Sequence, residues 1–415
     1  MIRAVSPTPA ARPSDLKLNN RIQILELFKS GRSYSVADIS REIGISRQTV
    51  MKAVQFFMDK GIVASDGKAE SGNMGGKRAE LYSLSACQYL FSVLICPDYL
   101  YIALVNYRNE VIDAYTDRAI TALGIDEILN VIGTACYRLL LSNEIKQRDV
   151  HGICVATSGI VDHATNALKF NSLFPGWGRD IRIAEKLSSF FDNGLLVLVE
   201  NAGKVCGSAF LHDRQFQGKR GMTLFSSWGG VCACLMEDGC ILNGKDALIG
   251  EIGHMMLEPA DTEVCGCGSH GCFERQVSDD RIRRLVQEQG AGHPDSPLCR
   301  APIEDIRVRH VFDASRGGDA LAAAIVDRLA RYFAMALRNV TLLFNPDLVV
   351  LQGDYANADL RFQEALAREL RTFNYYEASN PFLLRTDPRS IRELATLGAC
   401  TLLIDRLFSD EAMYN

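Results

Sequence analysis

Gly250-Glu251-Ile252-Gly253-His254, followed after ten intervening residues by Cys265-Gly-Cys267-Gly-Ser-His-Gly-Cys272-Phe-Glu274, is the most constrained stretch of this chain. Four soft or borderline donors fall within a span too short and too rich in glycine to be a helix or a strand. Zinc prefers tetrahedral nitrogen and sulfur ligands, so His254, Cys265, Cys267 and Cys272 read as a closed Cys3His site, with His270 as the alternative histidine and a reducible disulfide as the competing use of the thiols. A closed site leaves no coordination position for water. The zinc is therefore expected as a structural cofactor that pins Glu251, His254 and Glu274 around one pocket, and carboxylates presented in this way suit a hydroxyl-rich ligand.

The same residues carry a family resemblance. Gly-Glu-Ile-Gly-His with Cys-x-Cys-Gly-x-x-Gly-Cys-x-Glu is similar to the signature of the ROK family of sugar kinases and sugar-responsive repressors, and a looser similarity runs over about residues 88 to 405. The implied fold is α/β: an N-terminal winged helix-turn-helix, which marks the repressor branch, followed by the two-lobed actin-like sugar-kinase fold. The resemblance further implies that Asn201, Glu251, His254 and Glu274 contact sugar hydroxyls, His254 serving metal and sugar through its two ring nitrogens.

The N-terminal residues support the repressor branch on their own chemistry. A helix is expected from about Asn20 to Ser30, with Ile22, Leu25 and Phe28 on one face. A second starts at Ser35 with Asp38 in the capping-box position, and Gly44-Ile45 is the turn. Ser46 then caps a third helix with Val50, Val54 and Phe57 inward, which leaves Arg47, Gln48, Thr49 and Lys52 outward on its first turns. Recognition helices enter the major groove with these early positions toward base edges. Alternating residues at 62–64 and 81–84 around Gly75-Gly76-Lys77-Arg78 read as a β-hairpin wing, with Lys77 and Arg78 toward the DNA backbone or minor groove.

Charge is segregated in the same sense. The chain has a net charge of −5, but residues 1–84 hold 13 Lys and Arg against 8 Asp and Glu, whereas the remainder holds 32 against 42. A basic reader on an acidic body suits a double-stranded DNA operator as partner. Forty-seven per cent hydrophobic and 23% charged residues match a soluble globular protein, and no apolar run is long enough to span a membrane. Thirteen cysteines without framework spacing suit a reducing compartment, so the expected location is the cytoplasm. The expected organisation is a flexible arm over 1–18, the winged helix over 19–85, a first α/β lobe over 86–203 and a second over 204–415. The second lobe holds the zinc knuckle, and the C-terminal helix is expected to return to the first lobe.

Kinase chemistry is not expected to survive. Where the family's kinases have an Asp-x-Gly-Gly-Thr-like phosphate loop, this chain has Leu94-Ile95-Cys96-Pro97-Asp98. Proline donates no hydrogen bond, and aspartate repels phosphate. Trp228-Gly229-Gly230-Val231-Cys232-Ala233-Cys234 stands where the family's second glycine-rich loop belongs. The catalytic aspartate that follows Asn201 in the kinases is Ala202, and a methyl accepts no proton. The asparagine of the family's Asn-Leu-Pro-Gly-Trp motif is Leu173, unless Asn171 replaces it. No enzyme is expected. The expected function is a homodimeric or homotetrameric transcription regulator, a repressor of sugar uptake or catabolism genes, controlled by a sugar or sugar derivative. An ATP-dependent sugar kinase and a repressor controlled by a protein partner are the alternatives.

Overall fold

Serine and aspartate at helix starts, and glycine at a helix end, set out the first domain. Ser35 caps the second helix in a full capping box with Asp38, Gly44 closes it in the left-handed conformation, and Ser46 caps the third by accepting from the Thr49 amide. In this computed structural model, residues 13–69, 78–191, 194–372 and 382–414 are described. The N-terminal domain comprises α1 (Pro13–Phe28), β1 (Tyr34–Ser35), α2 (Val36–Ile43), α3 (Arg47–Asp59), β2 (Val63–Lys68) and β3 (Glu80–Leu84). Its strands form one sheet in the order β1-β3-β2, giving a winged helix-turn-helix. Helix α1 begins at Pro13, within the segment 1–18 expected to be a flexible arm; residues 1–12 lie outside the described residues. Proline is tolerated at the first turn of a helix, where its missing N–H has no partner to lose.

The first lobe contains β4 (Tyr89–Ile95), β5 (Leu100–Asn106), β6 (Val111–Asp117), α4 (Ile125–Ser142), β7 (Val150–Thr157), β8 (Ile160–Asp162), β9 (Ala167–Phe170), α5 (Ile183–Ser188), β10 (Leu196–Asn201) and α6 (Ala202–Ser208). The second contains β11 (Gly221–Ser227), β12 (Gly230–Glu237), β13 (Cys240–Ile241), α7 (Phe273–Val277), α8 (Asp279–Gln289), α9 (Pro297–Arg300), α10 (Val308–Arg316), α11 (Ala320–Leu343), β14 (Leu348–Gly353), α12 (Leu360–Arg371), β15 (Leu383–Thr386) and α13 (Ile391–Phe408). Each lobe has a five-stranded sheet with the same order, β6-β5-β4-β7-β10 and β13-β12-β11-β14-β15, an antiparallel meander extended by two parallel strands. This duplication is invisible as sequence repeats. Residues Leu224 to Leu235 form the greater part of the β11–β12 hairpin, which turns at Trp228 and Gly229, both with positive φ.

Helix α13 crosses back to pack on β4, β7 and α6. It approaches α6 so closely that a Cβ on Gly398 would lie 1.7 Å from the Val205 carbonyl oxygen. Beyond α13, Tyr414 is 4% exposed, lies edge-on to Phe57 of α3, and accepts from Arg21 of α1 at its carbonyl oxygen. Lys29 of α1 pairs with Asp405 of α13 at 3.0 Å, and His212 binds the same carboxylate at 2.9 Å. Burial pushes the Asp405 carboxyl up, but His212 and Lys29 outweigh it and hold it below the usual range. The reader and the first lobe thus share one apolar core. No helix of the described residues is long and apolar enough to cross a membrane.

Gly398→Ala should destabilise the protein by about 2 kcal/mol or more, because neither backbone at this crossing can yield without shifting a helix. Denaturant unfolding of the variant against wild type measures it; an unchanged midpoint would contradict the close approach.

Candidate metal centre and ligand cleft

The Gly-Glu-Ile-Gly-His segment lies flat on β12. A Cβ on Gly250 would sit 2.1 Å from the Ala233 carbonyl oxygen, and one on Gly253 would sit 2.2 Å from that of Val231. Gly250 also accepts from the Ala233 amide at 2.7 Å. The two glycines therefore fix Glu251 and His254 against the sheet. The cysteine loop folds over them: Cys265 N–H donates to Ser269 at 2.6 Å, and Phe273 N–H donates to Met255 at 2.8 Å, which brings α7 and Glu274 alongside.

The donor atoms of His254, Cys265, Cys267 and Cys272 lie within 4.8 Å of one another. Among the described residues this is the group that fits a metal, and His270 is outside it. In a tetrahedral site with metal–sulfur bonds of about 2.3 Å, neighbouring sulfurs stand about 3.8 Å apart. Cys267 Sγ and Cys272 Sγ are 3.7 Å apart, and Cys265 Sγ is 3.6 Å from His254 Nδ1. The donor set and its spacing therefore fit a metal, and the three thiols are not bridged as disulfides. His254 turns Nδ1 toward the sulfurs and leaves Nε2 toward Glu251 Oε2, 3.8 Å away. Glu274 Oε1 accepts from Cys265 Sγ at 3.0 Å and lies 3.5 Å from His254 Nδ1, so it stands directly behind the ligand shell.

These groups open onto a cleft of about 1380 Å³ between the lobes, which Asn201, Glu251, His254 and Glu274 all line. Burial pushes the Glu251 carboxyl up, while His254 and Lys204 act against it and Glu274 with it. Lys204, 2% exposed, escaped sequence reading; its Nζ donates to the Ala247 carbonyl at 3.2 Å and to Asn243 Oδ1 at 3.4 Å, tying the loop before Glu251 to α6. Its position three residues after Asn201 in a buried first turn was the available signal.

Two expected ligand contacts are already engaged. Asn201 caps α6 through Oδ1, which accepts from Gly203 and Lys204, while Nδ2 donates to the Gly159 carbonyl at 3.0 Å. One N–H remains for a ligand. Asn171, 1% exposed, accepts from Ser158, Leu173 and Phe174 and does not line the cleft, so it does not replace the asparagine lost at Leu173.

Elsewhere along the cleft the two loops expected to stand in place of phosphate cradles meet each other. Trp228 Nε1 donates to Asp98 Oδ1 at 3.1 Å across the lobes, its ring lies edge-on to Tyr99, and Arg392 caps the face of Tyr99 at 4.5 Å. The Cys232 thiol occupies the space over Gly203, where a Cβ would fall 2.0 Å from Sγ. Behind this loop Asp354 stands near Asp279, and desolvation of its carboxyl together with that like charge pushes it up to about 7.

On the reader, Arg47, Gln48 and Lys52 are exposed along one side of α3. Thr49 is half-buried and bonded to the Ser46 hydroxyl at 2.9 Å, so it belongs to the cap. Arg78 is exposed ahead of β3, and Lys77 lies outside the described residues.

The ROK family model matches residues 110–406, well over half of the chain. The chain belongs to the ROK family. A winged helix-turn-helix DNA-binding model matches residues 18–64. A putative xylose repressor of Caldicellulosiruptor sp. is 23% identical over 400 residues, covering 94% of this chain and 96% of that protein. A glucokinase of Halalkalibacterium halodurans is 26% identical over 258 residues, covering 62% of this chain and 77% of the kinase. Among solved structures, a ROK family transcriptional regulator described as a homolog of the Escherichia coli Mlc protein superposes with a TM-score of 0.77 at 20% identity over 96% of this chain and 98% of that one. The ROK body and its winged helix therefore share one architecture with that regulator.

Purified protein should carry one metal ion per chain, and Cys267→Ser should release it, since sites of this type contribute on the order of 10 kcal/mol of apparent binding free energy. Elemental analysis of both proteins decides this; metal-free wild type would contradict the site.

Proposed function

We propose that this chain is a DNA-binding repressor of sugar uptake or catabolism genes, controlled by a sugar or sugar derivative bound beside a structural zinc ion in a body that has lost kinase chemistry. The observation that supports it most is the Trp228–Asp98 contact, which fills a nucleotide's phosphate cradle with the chain's own side chains, in a protein that also presents an exposed recognition helix.

Phosphoryl transfer depends on backbone N–H groups around the phosphates and on a carboxylate beside the attacking hydroxyl. Here the cradle holds an indole, Pro97 and Asp98, and Ala202 lines the cleft where the kinases place their base. Loss of that base alone is worth about 10²- to 10⁴-fold in rate. The residues around the metal are less altered. Glu251 and Glu274 accept from hydroxyls, and His254 Nε2 adds a third group on the same side. With Asn201 committed to its cap, recognition weight shifts to the zinc-braced end of the cleft.

Control then means that the effector binds one lobe arrangement more tightly than another, with the reader moving along through α6 and α13. A homodimer or homotetramer matches two readers to two half-sites. Thirteen free cysteines suit the reducing cytoplasm. The full-length match to a protein named as a xylose repressor supports the reading; the sugar is a question for experiment.

Arg47→Ala or Gln48→Ala should weaken specific operator binding by about 1 to 3 kcal/mol and relax its sequence preference, while Lys52→Ala, Lys77→Ala or Arg78→Ala should weaken binding uniformly and flatten its salt dependence. Unchanged affinity in all five would end the winged-helix assignment. Wild type and Ala202→Asp should both lack sugar-dependent ATP hydrolysis, and turnover in either would restore the kinase reading. Glu251→Gln and Glu274→Gln should abolish the effector response and spare operator binding. A calorimetric screen of hexoses, pentoses, amino sugars and their phosphates without heat, with operator binding indifferent to all of them, would favour a protein partner as the signal.

A further inference from the structure

Helix α3 turns its apolar residues inward, with Val50, Ala53, Val54 and Phe57 buried. One apolar side chain breaks this pattern. Met51 is 46% exposed, and among the described residues of the DNA-binding domain only Leu16 is another large apolar side chain left so open. Met51 stands one turn after Arg47, and Lys52 stands one turn after Gln48, so the thioether projects from the middle of the exposed polar stripe on the first two turns. Gln55, one turn further, is drawn back along the helix by its bond to Asp59 at 2.8 Å. That leaves Met51 as the side chain between the two basic residues.

We propose that Met51 is a specificity-determining residue that reads the C5-methyl group of a thymine in the major groove. The inference rests on the proposed reading of DNA by the winged helix. Base edges in the major groove present hydrogen-bond donors and acceptors at every pair, and the thymine methyl is their one apolar group. A methionine laid on any other edge would desolvate polar atoms without bonding them, which disfavours those bases. Against the methyl it gains apolar contact, and its unbranched, polarizable chain adapts to the position. Lys52 on one side supplies attraction to the backbone and Arg47 on the other reads a neighbouring base edge, so Met51 is held in the groove where it adds its own selection.

The test uses the full chain. In vitro selection from a random duplex pool gives the wild-type site, and each selected thymine is then replaced singly by uracil, which removes only the methyl. One replacement should weaken wild-type binding about four-fold, the worth of one buried methyl. Met51→Ala should bind the thymine and uracil duplexes equally, and Met51→Leu should keep the discrimination. Alanine and leucine are both good helix formers at this exposed site, so the fold is preserved. Uracil without effect at every position, or the same penalty in Met51→Ala as in wild type, would overturn the assignment while leaving DNA reading intact. A wild-type chain that enriches no sequence would overturn DNA reading and this inference together.

Discussion

Helix α6 is held by backbone contact on two sides, and that crowding organises the molecule. Gly398 of α13 meets the Val205 carbonyl on one side, while Gly203 and Gly207 meet Cys232 and Cys234 of β12 on the other. At each contact a single methyl would overlap existing atoms, and packed interiors resist such displacement. The seven-residue helix therefore transmits position between the second-lobe hairpin and the C-terminal helix. Its N-cap Asn201 lines the cleft, and Lys204 in its first turn holds the loop before Glu251, so the cleft begins where this wedge begins.

A short series of rigid parts connects the cleft to the reader. The cleft end of α6 is tied through Lys204 to the loop that leads into Glu251. Its far side lies against α13, whose Asp405 holds Lys29 of the reader. Interfaces of this kind have discrete arrangements in place of continuous ones, and small shifts at a cleft become rotations of a docked domain. The Trp228–Asp98 contact spans the same cleft from the opposite end. Lobe angle is thus constrained on both sides of the cleft.

Much of this was legible in the sequence where local chemistry decides structure. Ser35, Asp38 and Ser46 announced the helix starts, and the Cys-x-Cys-Gly-x-x-Gly-Cys spacing announced the metal loop. Reading failed where tertiary contacts override local preference. Pro13 with Pro7 and Pro9 suggested an irregular arm, yet Pro13 opens α1. A bulky indole argues against a left-handed turn, yet Trp228 adopts one because Asp98 and Tyr99 hold its ring. Asn201 and Asn171 are polar groups beside a cleft, and only the structure reveals that the side-chain oxygen of each accepts from backbone amides. The matching strand orders of the lobes are properties of hydrogen-bond topology, which different side chains satisfy equally well.

Tyr414 seals the reader against the body from a position 393 residues downstream of its partner Arg21. On the ribosome, chains fold in order of emergence, domain by domain. The winged helix is made before the lobes, yet the face that Tyr414 covers stays open until this tyrosine has been translated. While the lobes are being synthesised, chaperones and other polysomal chains compete for that face.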